Sequence, residues 1–525
     1  MRDEKNRKPV TESNEQRRFT LNRVFLISLV LVAAFGAWGL IDPEGMSGSS
    51  LGFTSFMLTS IGWYWLLVST GFLVLAGFLA LGPYGRVKLG ADDEQPEFST
   101  PSWIAMLFAG GMGAGLIFWG VAEPLYHFRD PPGMPGGTPE AARAAFKLTN
   151  LHWGLHAWSI YGICALVIAY FTFRKKKKPL ISAPIESLFP GKSGQHLGRV
   201  ANVLGVFAVV FGLAGSLTMG TLQIRAGLGE LLGTPLTFGM SLAIIAVMYA
   251  TYMTSTAVGV DRGIKLLSNI NMLVALLMLI YIAAFGPTSF IFETVVDSIG
   301  SYFTRLPELA FRMMPFEGLQ GWTASWTLTY MIWWLAWGPF VGIFIARISR
   351  GRTIREFCAG VIIVPTVFSL FWFGVLGGAG VFIELFGGGG IAELVSQDVS
   401  RAFFVFLDFF PLGQLLGFVA LFLVFIFLVT SADSGSFVLS MMTSDGSLNP
   451  PLLYKLIWGS LVAVLTVGTL FSGSVEVAKA MAVTGAIPFS VVLLLQVVGF
   501  LKAIRSERGG THTQDRAKKP PSINE

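Results

Sequence analysis

The sequence predicts an all-α integral membrane protein of twelve transmembrane helices, and two observations carry that reading. Hydrophobic residues fill 53% of the 525 positions and charged residues only 13%, about half the charged share of a soluble domain. The apolar residues are also gathered into runs of about 20, the length a helix needs to cross hydrocarbon. Barrel strands would alternate, whereas a stretch such as 418–429 is apolar throughout. Disorder, a disulfide scaffold and a DNA-binding fold are excluded. A net charge of +6 is what basic cytoplasmic loops contribute to a polytopic chain, so it names no partner. Cys164 and Cys358 lack metal or redox spacing and receive no chemistry.

Taken in order, the runs fall near 24–41, 61–82, 103–122, 150–172, 199–222, 236–257, 267–286, 323–346, 360–382, 413–441, 456–472 and 478–501. The first follows a polar, basic leader and shows no small-residue cleavage site before Asp42, so it reads as a retained span rather than a signal peptide. Basic residues then recur on one side: Arg17, Arg18 and Arg23, Arg86 and Lys88, Arg174 to Lys178, Arg262 and Lys265, Arg347 to Arg355, and Lys502 to Arg508. The positive-inside rule makes that side, and both termini, cytoplasmic in the cell membrane.

Two spans carry helix-breaking sequence. Span 3 holds Gly110-Gly111-Met112-Gly113-Ala114-Gly115, and span 8 holds Gly338-Pro339. Each glycine disfavours helix by about 1 kcal/mol relative to alanine, and unwound backbone at membrane depth is tolerated only where it is buried in protein or lines a cavity. Close packing alone is the competing explanation. Breaks in corresponding positions of two halves point to an inverted repeat with its site at mid-membrane. The expected organisation is a cytoplasmic segment 1–22, two extra helices within 23–100, a five-helix repeat 101–290, an extracellular connection 291–322, a second repeat 323–503 and a cytoplasmic tail 504–525.

Aromatic residues crowd two of these spans. Trp153, Trp158 and Tyr161 lie in span 4, and Trp322, Trp326, Trp333, Trp334 and Trp337 in or beside span 8. An interfacial belt accounts for Trp322, Trp326 and Trp153, but not for Trp333, Trp334 and Trp337 near mid-span. An aromatic box holds a quaternary ammonium by cation–π attraction of roughly 0.5 to 2 kcal/mol without an acidic partner.

At these residues the sequence resembles the betaine/carnitine/choline transporter family. The stretches that carry the resemblance are Gly111-Met112-Gly113-Ala114-Gly115 running to Trp119-Gly120-Val121-Ala122-Glu123-Pro124, His152-Trp153 to Tyr161, Trp333-Trp334-Leu335-Ala336-Trp337-Gly338-Pro339-Phe340-Val341-Gly342, Ala346-Arg347-Ile348-Ser349-Arg350-Gly351-Arg352-Thr353, and Thr430-Ser431-Ala432-Asp433-Ser434-Gly435-Ser436. The resemblance implies a LeuT-like five-plus-five inverted repeat preceded by two extra helices, usually in a homotrimer, moving trimethylammonium osmolytes. It implies a substrate box of Trp153, Trp158, Tyr161, Trp333, Trp334 and Trp337, with backbone at Gly111, Met112, Gly113 and Gly115 toward the carboxylate. Choline-type members carry an acid in the glycine stretch; Gly115 stands there in this chain. Glycine betaine is therefore the first expectation, ahead of choline, carnitine, dimethylsulfoniopropionate and ectoine.

Sodium, a hard cation, wants oxygen ligands. The family pattern offers Thr430 and Ser431 with the carbonyls of Ala109, Met112 and Phe427. A second sodium site would use Asn271 and Phe340, but Val209 and Leu213 stand where its threonines are expected. Proton coupling is the alternative, with His152, His156 and Glu123, all read as lying near an interface. The basic tail, including Arg505, Arg508, Arg516, Lys518 and Lys519, is suited to anionic lipid. A channel would need carbonyl or charge rings, and an intramembrane enzyme a nucleophile beside a base; neither pattern is present, so the chain is expected to be no enzyme.

Overall fold

The computed structural model describes residues 21–111, 113–258 and 261–517; the side chains of 109–111, 261–265 and 508–517 are outside the description. Helices make up most of the described chain. In the first part they are α1 (Arg23–Ile41), α2 (Pro43–Leu81), α3 (Thr100–Gly111), α4 (Ala114–Arg129), α5 (Pro139–Trp153), α6 (Leu155–Ala169), α7 (Ser182–Leu188), α8 (Lys192–Leu232), α9 (Phe238–Val258), α10 (Asp261–Phe285) and α11 (Thr288–Leu309). The second part comprises α12 (Gln320–Thr323), α13 (Thr329–Ile348), α14 (Ile354–Cys358), α15 (Val364–Phe386), α16 (Ile391–Gln397), α17 (Ala402–Leu407), α18 (Gly413–Thr443), α19 (Leu452–Leu470) and α20 (Val475–Ala517). Pro43 and Pro139 open α2 and α5 at the first helical positions, behind Asp42 and Thr138, whose side chains accept from the amides of Gly45 and Ala141.

Among the described residues eleven segments are long and apolar enough to cross a membrane. The remaining predicted span, near 103–122, is divided into α3 and α4, each too short to cross alone. Gly113 sits at the break with extended backbone (φ −137°, ψ −164°). The glycine-rich stretch therefore interrupts a span as the sequence predicts.

The second predicted break is corrected. α13 continues through Gly338 and Pro339. Gly338 faces Cys164 and Phe489, and a Cβ on Gly342 would lie 2.9 Å from the Cys164 sulfur, so these glycines bring α13 close to α6. The distortion of this span lies earlier, in a π-helical turn at Ala324–Leu328. An interruption that composition does not announce occurs at Gly154, between α5 and α6. There the Leu155 amide donates to the Tyr302 hydroxyl of α11 at 3.1 Å, so the connecting segment is largely a helix that props span 4.

Packing between the halves is reciprocal. α6 lies against α13 and α4 against α15, while α8 packs on α18 and α19, and α18 on α9. Thus the opening spans of each half pair with the second spans of the other. At one end, 87–89 runs antiparallel to 351–354: the Leu89 amide donates to the Arg352 carbonyl at 2.8 Å, and Ile354 to Val87 at 2.9 Å. Arg352 is laid 3.9 Å over the Trp103 ring. The basic motif after span 8 is accordingly a strap binding the loop before α3.

Candidate functional site

The break before α4 opens onto one large cavity of about 940 Å³. Gly113, Ala114 and Gly115 line it, presenting the uncapped first turn of α4. Gly115 packs closely on the box, since a Cβ there would lie 3.2 Å from Cη2 of Trp153. Unsatisfied amides and the helix dipole favour an anionic group at such a terminus.

Every expected aromatic residue lines this cavity: Trp153, Trp158, Tyr161, Trp333, Trp334 and Trp337. Trp153 meets Trp334 edge to face at 4.9 Å between centroids, Trp334 meets Tyr161 at 5.6 Å, and Tyr161 meets Trp158 at 5.7 Å. Edge-to-face contact turns neighbouring π faces in different directions, as a box around a cation requires. Trp333 stacks on Tyr330 at 5.8 Å, and Trp337 contacts Phe340 at 5.5 Å. The interfacial reading of Trp326 fails. It is buried and lies with Trp119 beneath the Lys479 ammonium, 4.7 and 4.8 Å from the two rings.

Sequence reasoning also missed the polar cluster behind the box. Glu123, His127 and His152 are fully buried within the protein. Glu123 accepts from the Trp153 indole at 2.6 Å and the Tyr330 hydroxyl at 2.5 Å, while His152 Nδ1 lies 2.6 Å from its other oxygen. The His152 carbonyl accepts from the Trp334 indole at 2.8 Å. His156, equally buried, meets Thr70 at 3.3 Å. Glu123, His127 and His152 bring potential metal-ligand atoms within 4.8 Å of one another, but the Glu123 oxygens already receive these donors. The Glu-Pro of the motif after Trp119 was the available signal; an acid at a span end looks interfacial until the helices around it are placed.

Of the expected sodium ligands, Phe427, Thr430 and Ser431 line the same cavity, together with Phe340 and Leu213. The Thr430 hydroxyl donates within its own helix to Ile426 and Phe427 at 2.9 and 3.1 Å. Ala109 and Gly111 are described only as helix, and Met112 falls outside the described residues. Asn271 is turned to the Leu423 carbonyl at 3.2 Å, and Val209 is buried and apolar. Arg508, Arg516, Lys518 and Lys519, expected to meet lipid, lie outside the described side chains.

The cavity runs past the box to Phe173, Arg347 and the half-exposed Arg350. Trp119 and Tyr330 also line it, and the buried Trp326 and Lys479 pack against Trp119.

An all-helical, multi-pass chain with one deep aromatic cavity between its packed halves belongs to the class of membrane transporters. The family model for betaine/carnitine/choline transporters matches residues 23–509, and the chain belongs to that family. It is 40% identical over 504 residues to the glycine betaine transporter OpuD of Bacillus subtilis, covering 96% of this chain and 98% of that one. An ectoine/hydroxyectoine transporter of Virgibacillus pantothenticus is 40% identical over 485 residues, 92% of this chain and 96% of its own. A glycine betaine transporter of Acinetobacter baylyi is 35% identical over 483 residues, 92% and 73% of the two chains. These relatives are transporters, and the chain is a transporter rather than an enzyme.

Proposed function

We propose that this protein imports a trimethylammonium zwitterion, glycine betaine first, as a compatible solute, by sodium-coupled alternating access. The edge-to-face array of Trp153, Trp334, Tyr161 and Trp158 around one cavity supports this most directly. Its π faces suit methylated nitrogen, while the first turn of α4 suits the carboxylate. No carboxylate stands between Gly110 and Trp119 to match a bare cation, which places choline behind betaine. Similarity to an ectoine carrier makes ectoine the second substrate to test.

Reciprocal packing of the two halves supports an inverted repeat. With the basic loops cytoplasmic, the cavity opens inward in this conformation, and rocking one half against the other would expose it outward. Phe427, Thr430 and Ser431 beside the box supply oxygen for one sodium; Val209 and Leu213 disfavour a second. Titration of the purified protein, followed by tryptophan fluorescence, tests the substrate. Betaine should bind more tightly than choline, and an equal or reversed order would overturn the assignment.

A further inference from the structure

Given that the aromatic cavity is the substrate site proposed above, we infer that Glu123 is a positioning residue that makes the box prefer a positively charged nitrogen over an uncharged group of the same shape. Its two oxygens face donors from separate elements: Trp153 from α5, Tyr330 from α13 and His152 from α5. An indole N–H can only donate, so Oε2, which receives both Trp153 and Tyr330, has no room for a proton of its own. Glu123 therefore stands as an acceptor directly behind two rings of the cavity wall.

This has two physical effects. A carboxylate drawing on the Trp153 N–H fixes the ring against Gly115 and enriches its π system in electron density, which strengthens attraction for a cation on the ring face. The negative charge also lies only one indole away from the bound ammonium, in a buried setting where charge interactions are weakly screened. Lys479 is held over Trp119 and Trp326 and paired with Glu476 at 2.9 Å. The imidazoles of His152 and His127 lie 2.6 and 3.5 Å from Oε1, which leaves Oε2 to the Trp153 and Tyr330 donors. The same network reaches the second wall, because His152 lends its carbonyl to Trp334.

The test compares glycine betaine with its carbon isostere, 3,3-dimethylbutanoate, in which a quaternary carbon replaces the nitrogen. Affinities of both are measured by competition on purified wild type, Glu123→Gln and Trp334→Ala. Glu123→Gln should narrow the preference for betaine over the isostere by about 2- to 10-fold, part of the 2- to 30-fold that a cation–π contact contributes. A merely structural role would weaken both ligands equally; equal loss, or no loss, overturns the inference. Trp334→Ala separates it from the function proposed above. If that variant binds betaine as wild type does, the cavity is not the site and both readings fall. If it loses betaine while Glu123→Gln keeps the wild-type preference, only the role of Glu123 falls. Should Glu123→Gln not fold, Tyr330→Phe probes the same group by removing one donor and leaving its charge less neutralised. The preference for betaine should then widen, and an unchanged or narrower preference overturns the inference.

Discussion

Trp334 both faces the cavity and ties it together, in edge-to-face contact with Trp153 and with its indole nitrogen on the His152 carbonyl. Trp334→Ala should weaken glycine betaine binding roughly 2- to 30-fold, the range of one cation–π contact, while Trp63→Ala on the exposed face of α2 leaves it unchanged. Calorimetric titration of the two variants checks this. Gly115→Ala places a methyl 3.2 Å from the Trp153 ring, so it should lower affinity by tilting that wall while the protein keeps its thermal stability. At this scale the sequence was most legible for residues whose chemistry is unusual in a membrane, such as mid-span tryptophans. Glu123 was named only as a proton-coupling candidate, because its place behind the box depends on three partners that only the packed helices assemble.

Among the elements, the span-3 break could be read from composition, since four glycines within six residues leave helix little advantage. Gly338-Pro339 reads equally well as a break, yet α13 runs through it, because its tight fit against α6 supports the helix. The interruption at Gly154 was hidden for the converse reason: its stabilising partner, Tyr302, lies in a distant segment taken for loop. Tyr302→Phe should lower stability by about 1 kcal/mol, the worth of one hydrogen bond, seen as a reduced melting temperature in detergent. Thr430→Ala combined with Ser431→Ala should abolish sodium stimulation while preserving the fold. The Thr430 hydroxyl bonds only to carbonyls of its own helix, so its loss leaves no buried donor unpaired. Sodium-dependent uptake and melting temperature measured side by side check both halves of that expectation.

For the molecule as a whole, the broad class and eleven of the twelve predicted spans followed from hydropathy, because length and apolarity are set by the bilayer rather than by packing. How far the cavity extends could not be read that way, since it depends on how the helices pack: its lining runs from Trp119 and Tyr330 to Arg347 and Arg350. On the side of the basic loops, Glu507 of α20 pairs with Arg174 and Lys175 at 2.6 and 2.7 Å. Deleting 508–525 while keeping Glu507 should therefore preserve basal transport, whereas a cut before Glu507 should reduce it by releasing the end of α20.

Uptake of labelled glycine betaine into proteoliposomes tests the central claim most directly, with an inward sodium gradient and a negative-inside potential. Each charge carried across 100 mV contributes about 2.3 kcal/mol, so wild type should concentrate betaine tens-fold above the medium and lose this when sodium is replaced by potassium. Trp334→Ala should show little accumulation at the same betaine concentration. Equal accumulation without sodium, or wild-type uptake by the tryptophan variant, would contradict a sodium-driven carrier working through this aromatic cavity.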